Sequence, residues 1–222
     1  MIIKVCGLRD GENIRQVVSL GVDWIGLIFW PKSPRYVSMI PSLSGTLPDR
    51  TDYPNSFFNT PSKRVGVFVD AMAQDIIIRV VNFKLDLVQL HGHETPTLIQ
   101  NLRHTLADIR PGVQFIKAIS VSSSDDIATY KDYEDCVDYF LFDTKCKTVG
   151  GSGEQFDWSV LSAYKGDQPF LLSGGIGPGD AQRVLGFHHP QCIGIDLNSR
   201  FETEPGFKDV VSLSRFLNQL SR

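Results

Sequence analysis

No stretch of this chain reaches 18 consecutive apolar residues, so a membrane-spanning helix is not expected. Its first residues, Met1-Ile2-Ile3-Lys4-Val5-Cys6, lack the basic segment and apolar core of a secretory leader, and a cytoplasmic location is expected. There is no long basic run. The 22 Lys and Arg stand against 25 Asp and Glu, a net charge of −3, which argues against nucleic acid as a partner. Cysteine is scarce and scattered: Cys6, Cys136, Cys146 and Cys192 form no CxxC pair and no Cys/His spacing suited to zinc. Neither a disulfide framework nor a structural metal is expected.

What the chain does have is apolar bulk. Its 222 residues are 42% hydrophobic, enough to close one large core, and a single domain is the expectation. Short runs rich in β-branched and aromatic residues recur at Ile2–Leu8, Trp24–Phe29, Arg64–Val69, Leu87–His91, Gln114–Ile119, Tyr139–Asp143, Pro169–Ser173 and Cys192–Leu197. Most are continuously apolar, as parallel strands covered on both faces must be. Helical periodicity falls between them at Gly11–Leu20, Ala73–Lys84, Glu94–Leu106, Ser123–Asp132, Asp157–Ala163, Gly179–Gly186 and Phe207–Gln219. Strand and helix alternating in this way predict a (β/α)8 TIM barrel, with an open doubly wound sheet as the alternative. One connection resists the pattern. Across Ser38–Ser62, Pro41, Gly45, Pro48 and Pro54 disfavour a regular helix, and an irregular long loop is expected.

In such a barrel the active site forms at the carboxyl ends of the strands. That rule selects Cys6, Arg35, Asp70, His91, Ser120, Asp143, the glycines after Ser173, and Asp196 to Ser199. Gly150-Gly151-Ser152-Gly153 and Ser173-Gly174-Gly175-Ile176-Gly177 are loops whose backbone N–H groups can approach an anion closely. Asn198, after strand eight, is a candidate cap for a short helix facing the same space. Together they predict a phosphate site beside strands seven and eight.

The reacting part of a ligand would then lie near Cys6 and Asp143, a thiol and a carboxyl able to divide proton transfers across a pocket. Free cysteine is commonly an inert core residue, but Lys4 and Arg9 flank Cys6 and would favour a thiolate if it were partly exposed. Partial desolvation of Asp143 would suit an acid role, whereas capping a loop is its plainer use. Arg35 offers a fork of donors matched to a carboxylate, and otherwise would be a solvated surface arginine. His91 either lines the pocket or bonds within the barrel top.

The order of motifs resembles the phosphoribosylanthranilate isomerase family over nearly the whole chain. It is carried by Lys4-Val5-Cys6-Gly7-Leu8, Gly26-Leu27-Ile28-Phe29 with Lys32-Ser33-Pro34-Arg35-Tyr36, Val88-Gln89-Leu90-His91-Gly92, and Phe142-Asp143-Thr144. Gly150-Gly151-Ser152-Gly153, Leu172-Ser173-Gly174-Gly175, Gly194-Ile195-Asp196-Leu197-Asn198-Ser199 with Glu202, and Pro205-Gly206-Phe207-Lys208-Asp209 complete it.

The resemblance implies an Amadori rearrangement of N-(5-phosphoribosyl)anthranilate in tryptophan biosynthesis, without cofactor or metal. Asp143 would be the general acid and Cys6 the general base. Arg35 would hold the anthranilate carboxylate, and the phosphorylated substrate would also meet His91, Gly151, Gly153, Gly174, Gly175, Asp196, Asn198 and Ser199. A monomer or homodimer is implied. Two departures stand out: Arg200 occupies a position where the family usually has glycine, and the Ser38–Ser62 segment replaces a clearer helix. Indole-3-glycerol-phosphate synthase would want catalytic lysines at strand ends, and ribulose-phosphate epimerase paired aspartates with metal-binding histidines. A barrel that only binds a sugar phosphate is the alternative from another class, and would show binding without turnover.

Overall fold

The apolar runs become strands that close on one another. In the computed structural model, which describes residues 1–42, 45–48, 60–144 and 157–221, strand β1 (Ile2–Val5) pairs in parallel with β2 (Trp24–Ile28). A short antiparallel hairpin, β3 (Met39–Ser42) and β4 (Gly45–Pro48), follows. Then come β5 (Lys63–Phe68), β6 (Leu87–Leu90), β7 (Gln114–Val121), β8 (Tyr139–Thr144), β9 (Phe170–Ser173) and β10 (Cys192–Leu197). The closed order β1-β10-β9-β8-β7-β6-β5-β2 is the expected eight-stranded parallel barrel.

Closure divides the core in two. Inside the barrel, residues two apart on each strand point the same way, and Trp24, Val65, Val67, Leu87, Ile116, Leu141 and Leu171 fill the interior beneath Cys6. Outside it, the intervening strand residues meet the helices in a second, larger apolar layer that includes Phe68, Phe83, Phe115, Phe142, Phe170 and Phe216. Being apolar toward both layers is what made the strands legible as continuous runs.

The helices are α1 (Gly11–Ser19), α2 (Ala73–Asn82), α3 (Pro96–Ile109), α4 (Ser124–Ile127), α5 (Ala181–Leu185) and α6 (Val210–Leu220), with α4 running on into a 3-10 turn over Ala128–Asp132. Several expectations shift. Helix α3 starts after Glu94, because Thr95 caps it through Leu98 N and Pro96 takes the first turn. The last helix starts after Phe207, because β12 (Phe207–Lys208) pairs with β11 (Glu202–Glu204) and Asp209 caps α6 instead. The Asp157–Ala163 segment is a 3-10 helix over Trp158–Ala163. In the Ser38–Ser62 connection, where a loop is expected, the described residues include the β3–β4 hairpin: Pro41 and Pro48 are compatible with a two-stranded ribbon, which has edges that need no donor.

A buried ion pair sets the loop that carries His91. Lys117 Nζ lies 3.1 Å from Glu94 Oε2, with the two side chains 4% and 1% exposed. Glu94 also accepts the amides of Asp70 and Gly92, each at 2.9 Å. Lys117 donates to Gly92 O at 2.6 Å. The segments after β5 and β6 are thereby tied to β7.

Candidate active site

The carboxyl ends of the strands enclose a cavity of about 240 Å³. Of the residues expected there, Cys6, His91, Asp143, Gly174, Gly175, Asp196, Asn198 and Ser199 line it. Gly151 and Gly153 lie outside the described residues. Arg35 stands beside the cavity and is not among its lining residues, its side chain 18% exposed. Asp70 and Ser120 are turned away: Asp70 is half exposed and accepts from His93 N, and Ser120 is exposed.

Cys6 lies just past β1, its amide donating to Leu197 O at 2.8 Å, and it is only 3% exposed. The partial exposure on which a favoured thiolate depends is therefore not met. Burial pushes the thiol up from its ordinary range, and Asp196 adds to that, while Lys4 and Lys208 pull the other way without prevailing. The second helping cation is thus Lys208, brought by β12, and not Arg9. Lys4 itself is fully buried and donates to Asp196 Oδ1 at 2.7 Å; Ser173 Oγ donates to Asp196 Oδ2 at 3.1 Å. Asp196 keeps Lys4 charged against the cost of burial.

Across the cavity, Asp143 at the end of β8 is 19% exposed, and its Oδ2 lies 3.5 Å from His91 Nε2. Gln89, two residues before His91 on the same inward face, brings its amide Nε2 to 2.9 Å from His91 Nδ1. A ring that donates toward Asp143 carries its proton on Nε2. Nδ1 then accepts, and the Gln89 amide group must donate. The opposite carbonyl, Gln89 Oε1, is left buried without a partner among the described residues. Gln89 was not singled out from the sequence, although stepping back two positions from His91 reaches it.

A second network lies over Cys6. Arg35 Nε donates to both carboxylate oxygens of Glu202, at 2.9 and 3.0 Å, and Nη2 also bonds Glu202. Lys208 Nζ, fully buried, donates to the same carboxylate at 2.6 Å and to Asn198 Oδ1 at 2.9 Å. Asn198 therefore holds Lys208 and does not cap the short 3-10 turn Ser199–Phe201, as its side chain makes no cap bond there. The two cations hold the Glu202 carboxyl below its usual range although burial opposes them. Arg35 passes over Gly7, whose φ of 76° and missing Cβ leave room: a Cβ there would come within 2.6 Å of Arg35 Cδ and of Asn198 Oδ1.

On the far side, Gly174 and Gly175 follow β9 with φ of 104° and 66°, a turn few other residues adopt. Their amides, with those of Ser199 and Arg200, make no hydrogen bond to any described residue. Asp180, ahead of α5, fixes the loop by accepting from Gly177 N at 2.7 Å. Among the described residues, no group of three or more His, Cys, Asp or Glu is arranged to hold a metal.

A closed parallel barrel whose mouth joins a thiol, a carboxyl group and a turn of unpaired amides defines a (β/α)8-barrel protein equipped for acid–base work on a small anion. The family model for N-(5'phosphoribosyl)anthranilate (PRA) isomerase matches residues 3–219, and the chain belongs to that family. It is 45% identical over 220 residues to the N-(5'-phosphoribosyl)anthranilate isomerase of Parabacteroides distasonis, covering 99% of this chain and 93% of that one. It is 44% identical to the same enzyme of Phocaeicola vulgatus, covering 100% and 98%. Among solved structures, the phosphoribosyl anthranilate isomerase of Thermotoga maritima superposes with a TM-score of 0.78 at 30% identity, over 100% of this chain and 99% of that one. A structure of monomers generated from the dimeric Thermotoga maritima enzyme gives 0.75 at 27% identity, with the same coverage. A phosphoribosyl anthranilate isomerase in complex with reduced 1-(o-carboxyphenylamino)-1-deoxyribulose 5-phosphate gives 0.76 at 28%, again with that coverage.

Proposed function

We propose that the chain isomerises N-(5'-phosphoribosyl)anthranilate to 1-(2-carboxyphenylamino)-1-deoxyribulose 5-phosphate in tryptophan biosynthesis, with Asp143 as general acid and Cys6 as general base. The observation that carries the reading is that Cys6, Asp143 and the amides of Gly174 and Gly175 line one cavity in a chain of this family. The ligand of the complexed relative carries a carboxylate at one end and a phosphate at the other. In the proposed pose the phosphate meets the amides of Gly174, Gly175 and Ser199, and the anthranilate carboxylate meets Arg35. Gly151 and Gly153 join the phosphate side by the family resemblance.

The steps follow from that pose. Asp143 gives a proton to the furanose ring oxygen as the C1–O bond breaks, and the anthranilate nitrogen supplies the electron pair that forms the C1=N bond. Cys6 as thiolate takes the proton from C2, and the C2–H electrons form a C1=C2 bond while the C=N pair returns to nitrogen. The resulting enolamine becomes the ketone by losing its O2 proton and gaining one at C1, so the reaction is redox neutral overall. Lys4 and Lys208 stabilise the thiolate once formed. His91 Nε2 stands 3.5 Å from Asp143, and Asp196 holds Lys4 in place.

We further read the chain as one barrel domain working in the cytoplasm as a monomer or homodimer. In support, no described helix is long and apolar enough to cross a membrane. The test is turnover of freshly generated substrate followed by loss of anthranilate fluorescence. Wild type should turn over, and Cys6→Ser and Asp143→Asn should each lose about 10²–10⁴-fold while keeping their Tm. A variant that retains wild-type turnover would remove that residue from its role.

A further inference from the structure

Among the described residues, four cationic side chains stand at or against the cavity, and three are already matched. Lys4 pairs with Asp196; Arg35 and Lys208 share Glu202. Arg200 is the fourth. It is exposed, it lines the same cavity, and it has no carboxylate, carbonyl or aromatic partner among the described residues. Its stem lies against the loop after β9, with Cβ and Cγ 3.4 and 3.6 Å from the place a Gly177 Cβ would take. Arg200 and the Gly174–Gly175 turn, whose amides are unpaired among the described residues, thus line one cavity.

Among the described residues, Asp143 and Asp196 line the cavity, Glu202 lies in the network over Cys6, and Asp180, which accepts from Gly177 N, lies near the Arg200 stem. Lys4, Arg35 and Lys208 are each paired with one of these carboxylates, whereas Arg200 forms no ion pair with a described residue. A phosphate monoester near neutral pH carries between one and two negative charges. A guanidinium also offers two parallel N–H donors to two phosphate oxygens, which an amide turn cannot.

We propose that Arg200 is a phosphate ligand of this chain, closing over the outer face of a phosphate monoester whose inner face meets the Gly174–Gly175 turn. This rests on the phosphate placement given under Proposed function. It makes Arg200 a determinant of affinity for phosphorylated substrate and not a participant in proton transfer. The effect therefore falls on KM, and it weakens with salt because the contact is open to solvent.

Inorganic phosphate is the probe, used with the whole chain. Calorimetry measures its binding directly, and inhibition of turnover measures it at the site. Wild type should bind phosphate and be inhibited competitively. Arg200→Gln should raise the phosphate Kd and Ki, and the substrate KM, roughly five- to twenty-fold, as expected for an exposed charge-assisted contact, against less than a threefold change in kcat. Arg200→Lys should recover part of the loss by restoring charge without the fork. An Arg200→Gln protein with wild-type Kd, Ki and KM overturns the Arg200 assignment while leaving the amide turn as the phosphate site. A wild type that turns over substrate yet ignores phosphate overturns the phosphate placement and this assignment with it.

Discussion

Gln89 Nε2 stands 2.9 Å from His91 Nδ1, and the ring's other nitrogen faces Asp143 at 3.5 Å. An amide that donates to Nδ1 favours the imidazole tautomer whose proton lies on the edge facing the carboxyl group. The arrangement leaves Gln89 Oε1 buried and unpaired, a cost of about 1–3 kcal/mol that an apolar replacement would not bear.

Gln89→Leu should therefore keep or raise Tm while lowering kcat about five- to twenty-fold, because His91 is free to change tautomer. Nitrogen-15 NMR of the His91 ring should show the proton spread over both nitrogens in the variant and confined to Nε2 in wild type. Identical ring shifts in the two proteins would end the tautomer argument.

Burial raises the Cys6 thiol, so in the free enzyme it is protonated around neutrality, and the thiolate appears only as pH climbs beyond the ordinary thiol range. Alkylation of Cys6 by iodoacetamide, read by peptide mass spectrometry, should rise through pH 9 without levelling. A plateau below pH 8 would mean that Lys4 and Lys208 outweigh desolvation.

Lys4 and Asp196 form an ion pair with both side chains at least nine-tenths buried. Lys4→Met leaves Asp196 charged and unpaired, and should cost about 3–5 kcal/mol in denaturant unfolding. The double replacement Lys4→Met with Asp196→Leu should recover most of that stability but not turnover. If the single variant unfolds like wild type, the pair does not matter for the fold.

Glu202 accepts from Arg35 and Lys208 at once, so Glu202→Gln leaves two cations facing each other without an anion. Arg35 should lose its fixed place over Gly7, and substrate KM should rise about five- to tenfold with a lower Tm. Wild-type values for both would show that Arg35 is positioned by other contacts.

Much of this was readable along the chain, and the reason is local. A barrel strand is apolar toward two layers, so its run stands out without knowledge of its neighbours; Tyr139-Phe140-Leu141-Phe142 announces β8, and the residue that ends the apolar run, Asp143, is where chemistry belongs. Cys6, Asp143, His91 and the Gly174–Gly175 turn are all strand-end positions, and the cavity gathers them. Even Gln89 was within reach, since the period of a strand is two.

Tertiary structure alone decided the rest. The partner of Lys4 lies 192 residues away and that of Arg35 lies 167 away, brought close by barrel closure and by the β11–β12 hairpin. No local pattern could say that Asn198 would hold Lys208 instead of capping the turn after it, or that Ser38–Ser62 would begin as a hairpin. Nor could it give the state of Cys6: Lys4, two residues away, argues for a thiolate, and desolvation inside the closed barrel outweighs it, because burial depends on every strand at once.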